Sequence, residues 1–387
     1  MLIRKAFRFR IYPNKTQQTE LAKHFGAARF VYNHYLAARR DYYQETGTGL
    51  TFADCSADLA DILKKDYPWL CNTDAQVLQQ VVKDLDRAYV HFFKGYADYP
   101  KFRNKHHKQS IRYPQRFKFQ GKRIHLPKVG WVKGVFHRAI EGTPTSCTVS
   151  KTKSGNYFVS IQCKMENDLP TPNAKEVGID LGLTTFATLS NGDKEIKPKH
   201  LYRAERRLQI RQRRLSRKVK GSKGFQKARL PVVKLYERVA NQRKDYQHKL
   251  SRKLVNAYGT LAFESLSVAG MVKNHSLAKA IQDAAWSQFV GFCEYKAAWA
   301  NGQVLRVDRF FASSHLCSDC GAKHKRLTLN VRQWVCLNCG SVHDRDENAS
   351  RNILKEATAG AAESHAGGKM SASVRASAPE VRGFGLE

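Results

Sequence analysis

Acidic residues are scarce in this chain. Against 67 Lys+Arg there are only 33 Asp+Glu among 387 residues, a formal net charge of +34. A compact fold repels itself under such a surplus unless a polyanion neutralises it. Nucleic acid is the expected partner, and a membrane surface is the competing one. Long apolar runs are also lacking. No uncharged apolar stretch reaches the length of about 18 residues that a membrane-spanning helix needs. Met1-Leu2-Ile3-Arg4-Lys5 leads straight into a strand-like pattern, so no signal peptide is expected. The absence of self-similarity at a period of about 20 to 50 residues argues against a solenoid. Hydrophobic residues (42%) and aromatics (11%) suffice for real cores, and the length allows two to four domains. Nine cysteines are present. Five of them (Cys55, Cys71, Cys147, Cys163, Cys293) are scattered singly, as suits free thiols in a reducing cytoplasm and small core positions.

Residues 2 to 12 alternate apolar Ile3, Phe7, Phe9 and Ile11 with Arg4, Arg8 and Arg10, which predicts a strand with a basic face. Pro13 ends it, and Asn14-Lys-Thr-Gln17 reads as a capping box. The helix that follows carries Leu21, Phe25, Ala28, Tyr32 and Leu36 on one face. A second is predicted over 74–93. Residues 91–138 then hold thirteen Lys/Arg against the single acid Asp98, interleaved with aromatics as in Tyr99-Pro-Lys101-Phe-Arg103 and Arg116-Phe-Lys118-Phe. Strands are predicted over 123–126, 146–150 and 157–163, forming a small barrel or sandwich that residues 2–12 could join. An ordinary solvated sheet face is the alternative for the basic-aromatic mixture.

Beyond Lys175, Val177-Gly-Ile-Asp180 is a buried strand interrupted by an acid. Residues 186–189 form the next strand, with a hairpin turn at Asn191-Gly192. Residues 201–253 hold nineteen Lys/Arg and three acids, so the two basic blocks carry 28 of the 34 surplus charges. A helical hairpin broken at Gly221-Ser-Lys-Gly224 is predicted there, with Pro231 at a helix start. Thr260-Leu-Ala-Phe-Glu264 is another apolar strand ending in an acid. A helix is predicted over 277–300, a strand over 303–307 and a last helix over 348–356. Residues 358–387, rich in Ala, Gly and Ser, read as a disordered tail.

Two CxxC pairs, Cys317/Cys320 and Cys336/Cys339, are separated by 15 residues, the spacing of a four-thiolate zinc ribbon. Four thiolates close the coordination shell, so the zinc is expected to be structural. His315, His324 and His343 lie near and could replace a thiolate, although four cysteines make that unnecessary. Asp346 follows, seven residues past Cys339. Asp180, Glu264 and Asp346 share a trait: each interrupts, ends or begins an element next to apolar chain. Buried carboxylates need partners or metals, and hard oxygen ligands suit Mg²⁺ or Mn²⁺. Two such ions could serve phosphodiester hydrolysis. Singly, each acid could as well pair with an arginine or cap a turn, and Asp344 competes with Asp346.

At these residues the chain resembles the TnpB (OrfB) proteins of insertion sequences, RNA-guided nucleases related to type V CRISPR effectors. The resemblance rests on Val177-Gly-Ile-Asp-Leu-Gly-Leu, Phe263-Glu-Ser-Leu, Phe7-Arg-Phe-Arg-Ile-Tyr-Pro-Asn-Lys-Thr-Gln-Gln, Ser313-Ser-His-Leu-Cys-Ser-Asp-Cys-Gly and Asp344-Arg-Asp-Glu-Asn-Ala-Ser-Arg-Asn-Ile. Ser350 stands where many members have Ala. The resemblance implies an α/β multidomain fold. A RuvC-like (RNase H-type) nuclease core would carry a zinc-ribbon insert, and an N-terminal wedge β-barrel would carry a helical recognition insert. Domains are expected at 1–13 and 101–173 (wedge barrel), 14–100 (helical recognition), 174–313 and 343–357 (nuclease core), 314–342 (ribbon) and 358–387 (tail).

It further implies Asp180, Glu264 and Asp346 as catalytic magnesium ligands. It implies a guide RNA from the protein's own element and a double-stranded DNA target with a short flanking motif. The sequence does not settle the oligomeric state, and one protein monomer per guide RNA is the favoured expectation. No membrane partner is expected, and the location would be the bacterial or archaeal cytoplasm, at the nucleoid. Candidate nucleic-acid contacts are Arg8, Arg10, Lys101, Arg103, Arg116, Lys118, Arg207, Arg211, Arg214, Lys218, Arg243 and Lys244. A nuclease-inactive, guide-directed regulator or transposition accessory protein is the alternative, and a strand-transferring transposase is a third reading.

Overall fold

The computed structural model describes residues 2–106, 109–166, 170–324, 327–328 and 331–366. The chain divides into two compact units between residues 167 and 168. Nine of the expected tail's residues, 358–366, are helical, and the remainder, 367–387, lies outside the described residues.

In the first unit, β1 (Leu2–Tyr12) precedes α1 (Lys15–Thr46), α2 (Phe52–Asp58), α3 (Lys64–Asp66) and α4 (Ala75–Phe93). Six strands follow: β2 (Gln109–Tyr113), β3 (Lys118–Gln120), β4 (Arg123–Leu126), β5 (Gly130–Val135), β6 (Thr143–Lys151) and β7 (Tyr157–Glu166). They join β1 in one antiparallel sheet of order β2-β6-β7-β1-β5-β4-β3. β1 pairs along its length with β7 and at its end with β5, so the helices are inserted between strands of a single sheet. The alternation read from the sequence is the cause: Ile3, Phe7, Phe9 and Ile11 are buried. The sheet curls so that Phe136 meets both Phe9 (4.9 Å) and Phe119 (5.9 Å). The Asn14 capping box forms as expected. The Asn14 side chain accepts from Gln17 N (2.9 Å), and Gln17 Oε1 accepts from Asn14 N (3.0 Å). α4 begins at its own cap, Asp74.

The second unit holds β8 (Glu176–Asp180), β9 (Thr185–Leu189), β10 (Lys194–Ile196), α5 (His200–Ser216), α6 (Lys223–Ala257) and β11 (Thr260–Glu264). It continues through α7 (Val268–Met271), α8 (His275–Ala284), α9 (Trp286–Trp299), β12 (Gln303–Val307), β13 (Gln333–Val335), β14 (Val342–Asp344) and α10 (Arg345–Ala366). Its sheet runs β10-β9-β8-β11-β12. β9 is antiparallel to β8, while β11 and β12 run parallel to it. This is the mixed sheet of an RNase H-type core, and the ribbon is inserted between β12 and α10. β11 is buried from Thr260 to Phe263, as expected of a strand covered on both faces.

Three sequence expectations need correction. Pro231 does not start a helix; α6 begins at Ser222, whose hydroxyl accepts from Phe225 N (3.0 Å). An interior proline costs about 3 kcal/mol. Burial of Leu235 and Val239 against Ala204 and Leu208 of α5 offsets it. The helix expected over 277–300 is broken at Ala285, which adopts φ 52°, and Gln247 Nε2 donates to the freed carbonyl of Ala284 (2.8 Å). The last helix does not stop at residue 356. It continues to Ala366 because alanine-rich sequence favours helix even without an apolar stripe. Of the five lone cysteines, Cys55, Cys147, Cys163 and Cys293 are buried thiols and Cys71 is exposed.

Candidate functional site

Asp180 is the last residue of β8 and Glu264 the last of β11. The two strands are parallel neighbours in register, Ile179 opposite Phe263. Both carboxylates therefore leave the sheet side by side, at the C-terminal edge where open α/β sheets place their ligands. Asp346 lies in the first turn of α10. That helix lies directly on β8, because residue 178 has no side chain. A Cβ on Gly178 would come within 1.9 Å of Ser350 O and 2.9 Å of Leu354 Cβ.

Asp180 senses the other two acids. The carboxyl of Asp180 is held well above the ordinary range, first by burial and then by the charges of Glu264 and Asp346. Burial alone pushes Glu264 up to about 7. Arg332 supplies positive charge, its Nη1 lying 3.2 Å and 3.5 Å from the two Asp346 oxygens. Burial, with like charge added at Asp180, makes these strand-end carboxylates costly to ionise. A divalent cation would favour the carboxylate form of Asp180 and Glu264, and an all-oxygen donor set suits Mg²⁺ or Mn²⁺, so these residues fit the ion that the resemblance implies.

Asp344 has a different task. Its Oδ1 accepts from the backbone N–H of Asp346 (3.1 Å) and of Glu347 (3.1 Å), and its Oδ2 binds Lys194 (2.7 Å). Burial pushes its carboxyl up, but Lys194 and the two amides outweigh that and leave it below the ordinary value. Asp344 thus caps α10 and frees Asp346 to face the strand ends.

The cysteine cluster lies just before this helix. The sulfurs of Cys317, Cys320, Cys336 and Cys339 all lie within 4.8 Å of one another. Cys317 to Cys339 is 3.7 Å and Cys320 to Cys336 is 3.6 Å. Four thiolates at the Zn–S length of about 2.3 Å would stand about 3.8 Å apart around a tetrahedron, so the cluster fits zinc. Both knuckles close alike: Gly321 N donates to Cys317 O (2.9 Å) and Gly340 N to Cys336 O (2.8 Å), each glycine at φ 75°. Asn338 draws the Cys320 thiol down to about 6, while burial pushes Cys317 up to about 12. His343 Nε2 lies 3.0 Å from Cys317 Sγ, and His324 Nε2 lies 3.3 Å from Cys336 Sγ. Both imidazoles thus lie against sulfurs of the four-cysteine cluster and do not replace a thiolate. His315 turns to the carbonyl of His324 (3.0 Å).

Two residues that sequence reasoning passed over tie this cluster to the acids. Asn348 Nδ2 donates to Leu316 O (2.7 Å), and its Oδ1 accepts from Ser318 N (2.8 Å). Asn352, one turn on, donates to Ser313 O and Leu316 O (both 2.8 Å). Both are buried. Their i, i+4 spacing on the helix was the available signal.

The candidate phosphate contacts are dispersed. Lys101, Lys118, Arg207, Arg214 and Lys218 are exposed. Arg8 and Arg10 lie over Phe158 at 4.0 and 5.3 Å. Arg103 covers Tyr32 at 3.6 Å, Lys244 is 6.0 Å from Phe292, and Arg116 is 3.9 Å from Asp74. Two serve the fold directly: Arg211 donates to Pro231 O (2.8 Å), and Arg243 pairs with Asp283 (3.5 Å). Among the described residues no helix is long and apolar enough to cross a membrane.

Known proteins resemble this chain along its length. Residues 160–275 match the family described as "Probable transposase", residues 286–353 the "Cas12f1-like, TNB domain", and residues 1–48 a "Helix-turn-helix domain". In this chain that last stretch is one strand followed by one uninterrupted helix. A "Putative RNA-guided DNA endonuclease" of Streptomyces pristinaespiralis is 37% identical over 93% of this chain and 91% of its own length. The "Putative RNA-guided DNA endonuclease InsQ" of Escherichia coli K12 is 32% identical over 90% and 91%. The fold is shared with a solved protein described as "Cryo-EM structure of the Cas12f1-sgRNA-target DNA complex", with a TM-score of 0.57 and 12% identity over 91% of this chain and 99% of that one. With the ribbon, the strand-end acids and full-length kinship in agreement, the chain belongs to the TnpB (OrfB) family of insertion-sequence proteins.

Proposed function

We propose that this chain is an RNA-guided DNA endonuclease of an insertion sequence and that Asp180, Glu264 and Asp346 hold its catalytic divalent ions, two Mg²⁺ or Mn²⁺. The observation that carries this reading is the convergence of three carboxylates at the joint end of β8, β11 and α10, where Asp180 is buried and feels the charges of Glu264 and Asp346. Bound there, the ions would supply an activated water and stabilise the departing 3′ oxygen of a phosphodiester. Asp180 and Glu264 provide fixed oxygens from rigid strands, and Asp346 closes the set from the helix. Asn348 and Asn352 keep α10 seated. Structural zinc in the cysteine cluster would hold the segment from which they hang.

The partners follow from the same reading: an RNA from the element's own end, and duplex DNA with a short flanking motif, one protein monomer per RNA. Exposed cations such as Arg207, Arg214 and Lys218 suit a backbone grip, leaving sequence to base pairing. The domains would be the wedge (1–13 and 101–173), the helical recognition insert (14–100), the nuclease core (174–313 and 343–357) and the ribbon (314–342). Free thiols and the +34 charge support residence in the cytoplasm, on nucleic acid.

Purified complex carrying a defined guide should cut a matched plasmid and spare a mismatched one, and chelation of divalent ions should stop the cut. Guide-directed binding without cutting would instead favour a regulator, and strand-transfer products would favour a transposase.

A further inference from the structure

In the first unit, α1 and the turn ahead of α4 enclose an open cleft of about 680 Å³, within the range that takes a small ligand. One wall is aromatic. Phe30 meets Tyr67 at 4.8 Å and Trp69 at 5.1 Å, both edge-on. Phe30 is partly packed into the core, but Tyr67 and Trp69 remain 38% and 45% exposed. The turn that carries them is pinned: Leu70 is fully buried, and the carbonyl of Asn72 lies 3.2 Å from His24 Nε2. These rings are therefore presented to solvent in a fixed pose.

Lys23 and Arg29 of α1 line the same cleft, and no acid does. Lys23 pairs with Glu20 in an exposed, exchangeable contact (2.8 Å). Arg29 has a weak neutral partner in Gln109 (3.4 Å). The floor is Gly26, inside α1. A Cβ there would meet nothing within 4 Å, so no packing demands glycine, although it costs about 1 kcal/mol against alanine in a helix. A bare floor, a rigid aromatic wall and two cations fit a flat aromatic ligand bearing an anionic group.

We propose that this cleft receives one unpaired nucleotide of the bound RNA, with its base against Trp69 and Tyr67 and its phosphate between Lys23 and Arg29. The inference rests on the RNA-guided reading above. RNA is favoured as the source because unpaired RNA bases splay out and stack on aromatic side chains, and a preformed pocket suits a resident partner. A displaced DNA strand exists only after target opening.

The test uses the full chain with its copurifying RNA. Ultraviolet crosslinking should join an RNA nucleotide to the peptide containing Tyr67 and Trp69. W69A, and independently G26L, which fills the floor, should each weaken RNA binding about tenfold while circular dichroism and zinc content stay unchanged. W69F should restore binding. RNA affinity unchanged in both W69A and G26L would overturn the inference alone, as would crosslinks that form only to target DNA. A chain that binds no RNA would overturn both this inference and the proposed function.

Discussion

At the scale of single residues, the strand-end acids are proposed to set the chemistry. Glu264 keeps its proton up to about pH 7 because burial disfavours the carboxylate. Its folded value lies above its unfolded value, so its contribution to stability is fully present below the ordinary carboxylate range. It is lost as pH rises through about 7. The metal-free protein should therefore melt at progressively lower temperature over that interval, and E264Q should flatten the loss. D180A should lower cleavage roughly a thousandfold with RNA affinity intact. Because Asp180 is repelled by Glu264 and Asp346, the variant should melt no lower than the parent; a lower melting temperature would speak against that strain. The sequence singled out these acids, since an acid ending an apolar strand is conspicuous. It did not show that Asp344 is the acid whose carboxylate caps the helix start, because that depends on which side chain reaches the amides of Asp346 and Glu347.

At the scale of elements, α10 is the part that must be seated correctly. Its contact with β8 depends on Gly178, where a Cβ has no room. G178A should destabilise the second unit by about 1–3 kcal/mol and lower cleavage along with it. Asn348 and Asn352 bind the segment that enters the ribbon, Ser313 to Ser318, to the same helix. N348A leaves the buried backbone N–H of Ser318 without its partner, while Leu316 O keeps Asn352, and should cost about 1–3 kcal/mol and reduce cleavage while zinc content stays unchanged. C336S or strong chelation should release the zinc and loosen the α10 start, as read by faster hydrogen exchange of the amides of residues 345–350. Alternation in β1 and the capping box at Asn14 are local patterns, and the sequence announced both. Pro231 and Ala285 misled because tertiary contacts overrode local preference: the α5 packing keeps a proline inside α6, and Gln247 stabilises a break that a continuous apolar stripe conceals.

At the scale of the molecule, charge is organised and partner-directed. Two blocks carry most of the surplus of +34, and exposed Arg207, Arg214 and Lys218 belong to one of them. RNA affinity should fall steeply with salt, and each phosphate contact removed, as in K218A, should lessen the log–log slope by about 0.7 to 0.9. Composition alone made this scale legible. Composition could not show which cations are spent inside the fold, as Arg211 and Arg243 are.

The most direct measurement is to locate Mn²⁺ in the purified protein by anomalous scattering. The account predicts manganese coordinated by carboxylate oxygens of Asp180, Glu264 and Asp346, with Arg332 drawn away from Asp346. Manganese bound elsewhere, or equally well to D180N, would contradict it.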